Sequence, residues 1–303
     1  MAKAKEYIGQ EYATATQGKG LQQDSLAVRI VTRITVTFSI AVMLVSIGII
    51  TCCAIFFLSP IVGTSMMTTL NATGKDTDAA IACRVTTPQR GDIVISKIYQ
   101  HQTKDFNETD DTYVKEKYSG LDFGGRYMLV IKRLIAVGGD QITMTRTPNG
   151  GNYVNTDYNY DYTIYLNGEK LDEPYLDPTI GKADARNFVQ LYRILNYDNP
   201  DVEINKSNTV IADWRATDRQ TVIQNGVLTI PEDYYFYLGD NRGGKLDTNP
   251  EYAYSWDGCQ MGPLPASQYV GTCIDVVDNS TNLPAYVWDK IVYYVFFGWA
   301  WQK

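Results

Sequence analysis

The sequence predicts a mainly β domain attached to one N-terminal transmembrane helix, and three observations lead to this fold class. The stretch from residue 34 to residue 59 contains no charged residue. Between residues 92 and 277, short apolar or alternating segments recur between turn-forming Gly, Asn, Asp and Pro residues. The same region lacks a long apolar pattern with the 3.6-residue period of an amphipathic helix. Segments of this kind are typical of β-strands joined by turns.

The composition limits the classes of function. The chain has 303 residues, which at ~150 residues per domain suggests one or two domains with enough chain for a core. Its net charge of -7 argues against a nucleic-acid-binding surface, because neutralising phosphates requires a basic face. His101 is the one histidine, so a histidine-based catalytic triad and a multi-histidine metal site are both disfavoured. The 23 Tyr and 24 Gly residues are typical of strands and turns.

The five cysteines do not indicate a metal site. Cys52 and Cys53 lie inside the uncharged stretch, and the other three show no CxxC spacing, so we expect no structural zinc. Two interpretations of Cys259 and Cys273 remain open. They could form a disulfide if the domain is extracytoplasmic, or they could be buried small hydrophobic residues, which we favour.

The uncharged stretch Ile34–Ser59 is expected to span a membrane. At ~1.5 Å per residue it exceeds the ~30 Å thickness of the hydrocarbon core. It is also longer than the ~7–15-residue apolar core of a cleavable signal peptide. Five basic residues against three acidic ones precede it: Lys3, Lys5, Lys19, Arg29 and Arg33 against Glu6, Glu11 and Asp24. The positive-inside rule therefore predicts a cytoplasmic segment 1–33, a transmembrane helix 34–59 and an extracytoplasmic β-rich domain 60–290.

Seven segments of this domain have strand length and composition: Asp92–Ile98, Tyr127–Val137, Tyr162–Leu166, Thr209–Ala212, Val222–Ile230, Tyr234–Leu238 and Cys273–Val277. They predict a sandwich or a partly closed barrel. Polar segments at 99–125 and 177–221 are interpreted as insertions, which could select substrates or only solvate the domain; we favour solvation. The aromatic segment 291–303 is too short to span a bilayer and could be a buried strand. We favour an interfacial position, because Trp288, Trp299 and Trp301 cluster there.

Ser65 and Lys132 are the candidate chemical groups. Ser65 follows Gly63 by two residues and lies shortly after the predicted span. Alternation along the predicted strand places Lys132 on the face of Val130 and Leu134, where desolvation disfavours a charged amine. A neutral amine can accept the proton of a serine hydroxyl, forming a Ser–Lys dyad without histidine. Taken alone, however, an ordinary turn serine and a lysine whose amine reaches water are the commoner interpretations.

Four motifs that occur in order favour the dyad over these commoner interpretations. Together they resemble the motifs of the bacterial type I signal peptidases. The four motifs are Ser65-Met-Met-Thr-Thr-Leu70, Arg90–Val94, Lys132–Asp140, and Gly239–Arg242 followed by Asp247. Further matches are Leu166-Asn-Gly168 followed by Glu173-Pro-Tyr175, and Met261-Gly262 followed by Val270-Gly271. The resemblance extends from Pro60 to about Val277 and includes the anchor. It implies the β-sheet ectodomain shared by signal peptidases and repressor-type proteases.

The resemblance also implies roles for the site residues. Ser65 is the nucleophile, and its backbone N–H donates to the oxyanion. Lys132 is the general base and later returns the proton to the leaving amine. Gly63, Thr64 and Met66 are assigned to the oxyanion hole and the substrate cleft, and Gly63 stands where many family members have a hydroxyl donor. Five residues are expected to support the site without reacting: Arg133, Asp240, Arg242, Lys245 and Asp247.

Several positions depart from the family pattern. Thr68, Ala136 and Gly138 replace a proline, a glycine and a proline, which changes turn rigidity and not chemistry. Lys245 replaces a serine that commonly contacts the catalytic lysine. This second cation could disfavour protonation of Lys132, or it could point to solvent. Asn249 replaces an arginine that often pairs with the aspartate matched by Asp247, so we expect that salt bridge to be absent.

The expected function is removal of signal peptides from secreted preproteins at the outer face of the bacterial cytoplasmic membrane. The partners are then preproteins and the lipid bilayer, with no nucleic acid, and the chemistry requires neither cofactor nor metal. Family substrates carry small residues one and three positions before the cut, which requires two shallow apolar pockets. The alternative is a non-catalytic, signal-peptidase-like assembly chaperone for surface fibres. A self-cleaving repressor-type protease is disfavoured by the membrane span and the acidic ectodomain.

Overall fold

The computed structural model describes part of the chain, which divides into the units Met1–Ala54 and Ile55–Lys303. The described residues are 25–67, 69–71, 78–99, 127–152, 159–176, 186–204, 219–242, 258–278, 280–282, 285–286 and 288–290. Several predicted features lie outside them: residues 1–24, nearly all of segment 99–125, the strand Thr209–Ala212, Thr68, Lys245, Asp247, Asn249 and segment 291–303.

Helix α1, Leu26–Ile55, belongs to the first unit up to Ala54. An 18-residue stretch of it has a mean hydropathy of 2.5, and it is, within the described part of the chain, the one helix long and apolar enough to cross a membrane. The helix begins before the predicted start at Ile34 and ends before the predicted end at Ser59. Phe56, Phe57 and Leu58 instead pair with a neighbouring strand. A short apolar run fits a helix and a buried strand equally well, so the segment that pairs with it determines which of the two it forms.

The second unit is mainly β, as predicted. Its strands are β1 (Phe56–Pro60), β2 (Asp78–Cys83), β3 (Ile93–Tyr99), β4 (Tyr127–Val137), β5 (Gln141–Pro148), β6 (Tyr160–Leu166), β7 (Glu169–Lys170), β8 (Ile223–Gln224), β9 (Val227–Thr229), β10 (Tyr234–Leu238), β11 (Leu264–Pro265) and β12 (Tyr269–Asp278). One sheet has the order β1-β2-β12-β3-β4-β10-β11, and the other has the order β7-β6-β5-β9-β8. Every neighbouring pair is antiparallel.

The sequence predicted some strands with the correct bounds and missed others. The predictions for β4 and β10 match the observed bounds. The single strand predicted over Val222–Ile230 is wrong, because Asn225 and Gly226 both have positive φ and make the turn of the β8–β9 hairpin. Strands β2 and β5 were not predicted. Strand β2 is rich in alanine, which has a weak preference for strands.

Helix α2, Arg186–Leu195, corrects the interpretation of segment 177–221 as a solvated insertion. Its buried residues Phe188, Leu191, Tyr192 and Leu195 follow the i, i+3, i+4, i+7 spacing of an amphipathic helix. They pack in one cluster with residues of both sheets. The remaining helices are short: α3 (Arg219–Val222), α4 (Gly258–Met261) and a 3-10 turn (Ala266–Gln268).

Strand β4 separates two smaller apolar clusters. Ile131 contacts the cluster of Ile61, Met66, Leu70, Ala80, Ala82 and Ile95, whereas Leu134 belongs to the cluster of Val94, Ile98, Tyr237, Met261 and Leu264. Ile131 and Leu134 therefore face opposite sides of the sheet, in agreement with the alternation predicted for this strand. The first of these clusters includes Met66, the residue that follows Ser65.

Cys259 and Cys273 are both free in the structure, so the disulfide interpretation is wrong for this state of the chain. Cys259 is fully buried and Cys83 is 5% exposed, which is the behaviour of small hydrophobic residues. Cys273 is partly buried, and burial raises its pKa to about 11. Its thiol is therefore protonated at neutral pH.

Candidate active site

The loop after β1 presents Ser65. Gly63 has a φ of 92°, in the region that favours glycine, and the chain then forms one helical turn. In this turn the Met67 N–H donates to the Thr64 carbonyl, and the Leu70 N–H donates to the Met66 carbonyl. Ser65 is partly exposed, whereas the Met66 side chain is 1% exposed. The loop thus presents the serine while burying the residue beside it.

Asn71 and Asp78 hold the two ends of this loop together. The Asn71 N–H donates to Asp78 Oδ2 at 2.6 Å, and the Asp78 N–H donates to Asn71 Oδ1 at 3.1 Å. The Asn71 side-chain amide also donates to the carbonyls of Ile61 and Gly63, at 3.0 and 3.4 Å. Asn71 is 2% exposed and has positive φ, which Asn tolerates better than most residues. Its role was not predicted from the sequence.

Lys132 lies in β4, whose neighbours in the sheet are β3 and β10. Its side chain is buried, with the residue 4% exposed. The Nζ atom donates to Ser65 Oγ at 2.6 Å and to the Ile131 carbonyl at 2.9 Å. The structure therefore brings the two predicted catalytic side chains into direct hydrogen-bond contact.

Arg133 points to the other side of β4 and pairs with Asp240. Its Nε and Nη2 atoms donate to the two carboxylate oxygens at 2.8 and 2.5 Å, and Nη1 donates to the Gly91 carbonyl at 2.6 Å. The Thr69 hydroxyl donates to the same carboxylate at 2.5 Å. The two charged side chains are 8% and 0% exposed. Two parallel bonds between planar groups fix the position and the orientation of both.

The segment that follows β10 contacts the serine loop directly. The Asn241 N–H donates to the Ser65 carbonyl at 3.0 Å, and the Asn241 side-chain amide donates to the Thr64 carbonyl at 3.0 Å. The Asp240 N–H lies 3.4 Å from the sulfur of Met66. Asn241 was not among the predicted site residues, although it stands inside the Gly239–Arg242 motif.

Arg242 is fully buried and pairs with Glu173. Its Nη1 and Nη2 atoms donate to the carboxylate at 2.9 and 2.5 Å, and its Nε donates to the Gly239 carbonyl at 2.7 Å. Burial alone would lower the pKa of Arg242, but the neighbouring Glu173 carboxylate outweighs it and raises that pKa. The Phe188 ring of α2 lies 5.3 Å from the guanidinium carbon. Part of the predicted insertion therefore packs against a residue of the site.

Asp140 joins three of the sequence motifs. It accepts two bonds from Arg90, at 2.8 and 2.5 Å, one from the Asn167 amide at 2.9 Å and one from the Val137 N–H at 2.8 Å. Burial raises the pKa of Asp140, but the bonds from Asn167, Val137 and Arg90 outweigh burial and hold that pKa below its ordinary value.

The sequence model of the family described as "Signal peptidase, peptidase S26" matches residues 31–277. The chain belongs to this family. The resemblance stated from the sequence motifs is thereby confirmed, and the match extends from α1 to β12. The matched region contains both Ser65 and Lys132.

The structures that match include a signal peptidase I from Enterococcus faecalis V583, at 20% identity, with 62% of this chain and 97% of that chain covered and a TM-score of 0.26. No curated protein matches the sequence.

The remaining predicted site residues of this S26 family member lie as follows. Gly63 is exposed and Thr64 is partly exposed, and both lie within two residues of Ser65. Lys245 and Asp247 lie outside the described residues. Among the residues that the structure describes, no three His, Cys, Asp or Glu side chains are grouped so that they could hold a metal ion.

Proposed function

We propose that this S26 family member is a membrane-anchored serine endopeptidase that removes N-terminal signal peptides from secreted preproteins. Ser65 is the nucleophile and Lys132 is the general base. The observation that carries this proposal is the 2.6 Å contact between Lys132 Nζ and Ser65 Oγ in a chain of the signal peptidase family. At this separation a proton can pass directly between the two atoms.

Acylation begins when the Lys132 amine takes the proton of Ser65 and the Ser65 oxygen attacks the scissile carbonyl. Only a neutral amine can do this, and burial disfavours the charged form of a lysine. The 4% exposure of Lys132 supports this role. Lys132 then returns the proton to the leaving amine, and an acyl-enzyme remains on Ser65. Water next attacks the ester, with Lys132 again accepting a proton.

The oxyanion is stabilised by the Ser65 backbone N–H. The position two residues earlier is Gly63, which has no side chain to donate a second bond, so water completes the oxyanion hole. The positive φ of Gly63 supports a backbone requirement for glycine at this position.

Substrate selection is assigned to the cleft beside Ser65, where shallow pockets would accept the small aliphatic side chains of an extended peptide. Ile61 and Met66 are 3% and 1% exposed, so they back this cleft from the core and do not present a surface to the peptide. Helix α1 spans the cytoplasmic membrane with the N-terminus inside, so the catalytic domain is extracytoplasmic. Tethering enzyme and preprotein to one bilayer raises their effective concentration.

Cleavage of a lipid-embedded precursor with Ala one and three residues before the cut tests the proposal. Full-length wild type, Ser65→Ala and Lys132→Ala would be compared, with circular dichroism to establish that each is folded. Cleavage by the wild type alone supports both the activity and the dyad. A folded wild type that cleaves nothing overturns the proposal and favours the non-catalytic assembly role.

A further inference from the structure

We propose that Glu173 and Tyr175 are positioning residues that hold Lys132 and Ser65 at their working separation. This inference rests on the proposed function. Both residues belong to the segment after β7. They act through a ring of contacts that begins at Arg133 and returns to it.

The first part of the ring is the environment of Arg133. Its guanidinium carbon lies 3.7 Å from the centre of the Tyr175 ring, and Asp240 and the Gly91 carbonyl accept its hydrogen bonds. The Asp240 carboxylate fixes the orientation of the guanidinium, and the Tyr175 ring packs against one face of it. Lys132 is the adjacent residue on β4, so movement of Arg133 displaces the backbone that carries the base.

The second part joins Tyr175 to the segment after β10. The Tyr175 hydroxyl donates to Glu173 Oε1 at 2.8 Å, and the same carboxylate pairs with Arg242. Arg242 in turn donates to the carbonyl of Gly239, which precedes Asp240. Burial, followed by the negative charge of Glu173, raises the pKa of Tyr175. The phenol therefore keeps its proton and remains a donor.

The ring balances its own charge. Arg133 and Arg242 supply two positive charges, and Asp240 and Glu173 supply two negative ones, on side chains that are between 0% and 14% exposed. A buried charge that loses its partner is costly, so each member constrains the next. Tyr175 and Glu173 close the ring by joining Arg133 to Arg242.

Both members of the dyad are attached to this ring. Lys132 is adjacent to Arg133 in the chain, and Ser65 is held through its carbonyl by Asn241, which stands between Asp240 and Arg242. A change at Tyr175 or Glu173 is therefore expected to alter the 2.6 Å separation of Lys132 Nζ and Ser65 Oγ. Misplacement of reacting groups by about 1 Å can cost about a hundredfold in rate.

The test compares Tyr175→Leu, Tyr175→Phe and Glu173→Gln with the wild type in the full-length protein. Tyr160→Leu is the matched control, because the Tyr160 ring also lies under an arginine, Arg146, at 4.3 Å, outside the ring of contacts. The measurements are kcat and KM for the lipid-embedded precursor, and urea unfolding of each variant. A third measurement, the ¹³Cε NMR titration of Lys132 assigned with Lys132→Ala, requires no cleavage.

We expect Tyr175→Leu and Glu173→Gln to lower kcat by about ten- to a hundredfold with KM changed less than twofold. Tyr175→Phe keeps the ring over Arg133 and should lose less. The Lys132 titration should move in Tyr175→Leu and not in Tyr160→Leu. Unchanged kcat in a folded Tyr175→Leu overturns the inference. An equal loss of kcat in Tyr160→Leu, when the two variants are equally destabilised, also overturns it.

Failure of the proposed function would be recognised separately, because the wild type would then cleave nothing. The titration still decides the positioning role in that case. An unmoved Lys132 titration in both Tyr175→Leu and Glu173→Gln contradicts it, and a shift in both supports it.

Discussion

Lys132 Nζ donates to Ser65 Oγ at 2.6 Å although 67 positions separate the two residues in the chain. The serine comes from a loop beside the sheet, whereas the lysine comes from a central strand of that sheet. Their meeting depends on contacts that tie the loop to the sheet, chiefly those of Asn71 and Asn241.

Lys132→Arg is expected to lose cleavage as completely as Ser65→Ala. A guanidinium keeps its proton in proteins and cannot accept one from Ser65, although its charge and length resemble those of protonated lysine. Cleavage of the lipid-embedded precursor would be followed for both variants, with Lys97→Arg on the neighbouring strand β3 as the control. Substantial activity in Lys132→Arg would remove the lysine from the role of base.

The rate of cleavage is expected to rise with pH as the amine of Lys132 loses its proton. A second cation nearby disfavours protonation, so Lys245→Ser should move the pH profile of kcat to higher pH if Lys245 faces the dyad. Profiles of the wild type and Lys245→Ser would be recorded on one precursor. A wild-type profile that stays flat into acidic pH contradicts a lysine base, and an unmoved Lys245→Ser profile places that lysine away from the dyad.

Asp240→Leu is expected to lower the free energy of unfolding by about 3–5 kcal/mol, because it leaves the buried Arg133 without its charged partner. Replacing both partners removes the unpaired charge. The double variant Arg133→Met/Asp240→Leu should therefore be less destabilised than the sum of the two single variants. Urea unfolding of all three variants measures this coupling, and additive losses would show that the ion pair does not act as a unit.

Asp140 is expected to make stability depend on acidic pH. Its pKa is lower in the folded chain than in the unfolded chain, where it is about 3.9. The stability that Asp140 contributes is therefore fully present above pH ~3.9 and is lost as the pH falls through the lower folded value. Asp140→Asn should destabilise the protein at pH 7 and less so at pH 3.

Urea unfolding at these two pH values checks the expectation. Asp161→Asn serves as the control, because Asp161 is exposed. A loss in Asp140→Asn that is equal at pH 7 and pH 3 would contradict a contribution from the ionised carboxylate.

Two kinds of information could be obtained from the sequence. Hydropathy and alternation predicted an apolar helix near the N-terminus and the strands β4 and β10, because each feature depends on neighbouring residues. The order of the motifs predicted the family, because each motif consists of neighbouring residues and can be recognised without knowing which distant residues they contact. The same local signals failed where two structures fit one pattern, as at Phe56–Pro60.

Only the tertiary structure decided which residues meet. Arg133 and Asp240 lie 107 positions apart, and Arg242 and Glu173 lie 69 apart, so no local pattern reports either pairing. The sequence motif that contains Glu173 and Tyr175 indicates no role for them, and the polar composition of segment 177–221 does not reveal the apolar side of α2 that packs in the core. Sequence thus determined the chemical groups and the fold class. Packing of distant segments determined their distances, because the low exposure that gives these polar contacts their strength exists only once the sheets and α2 have come together.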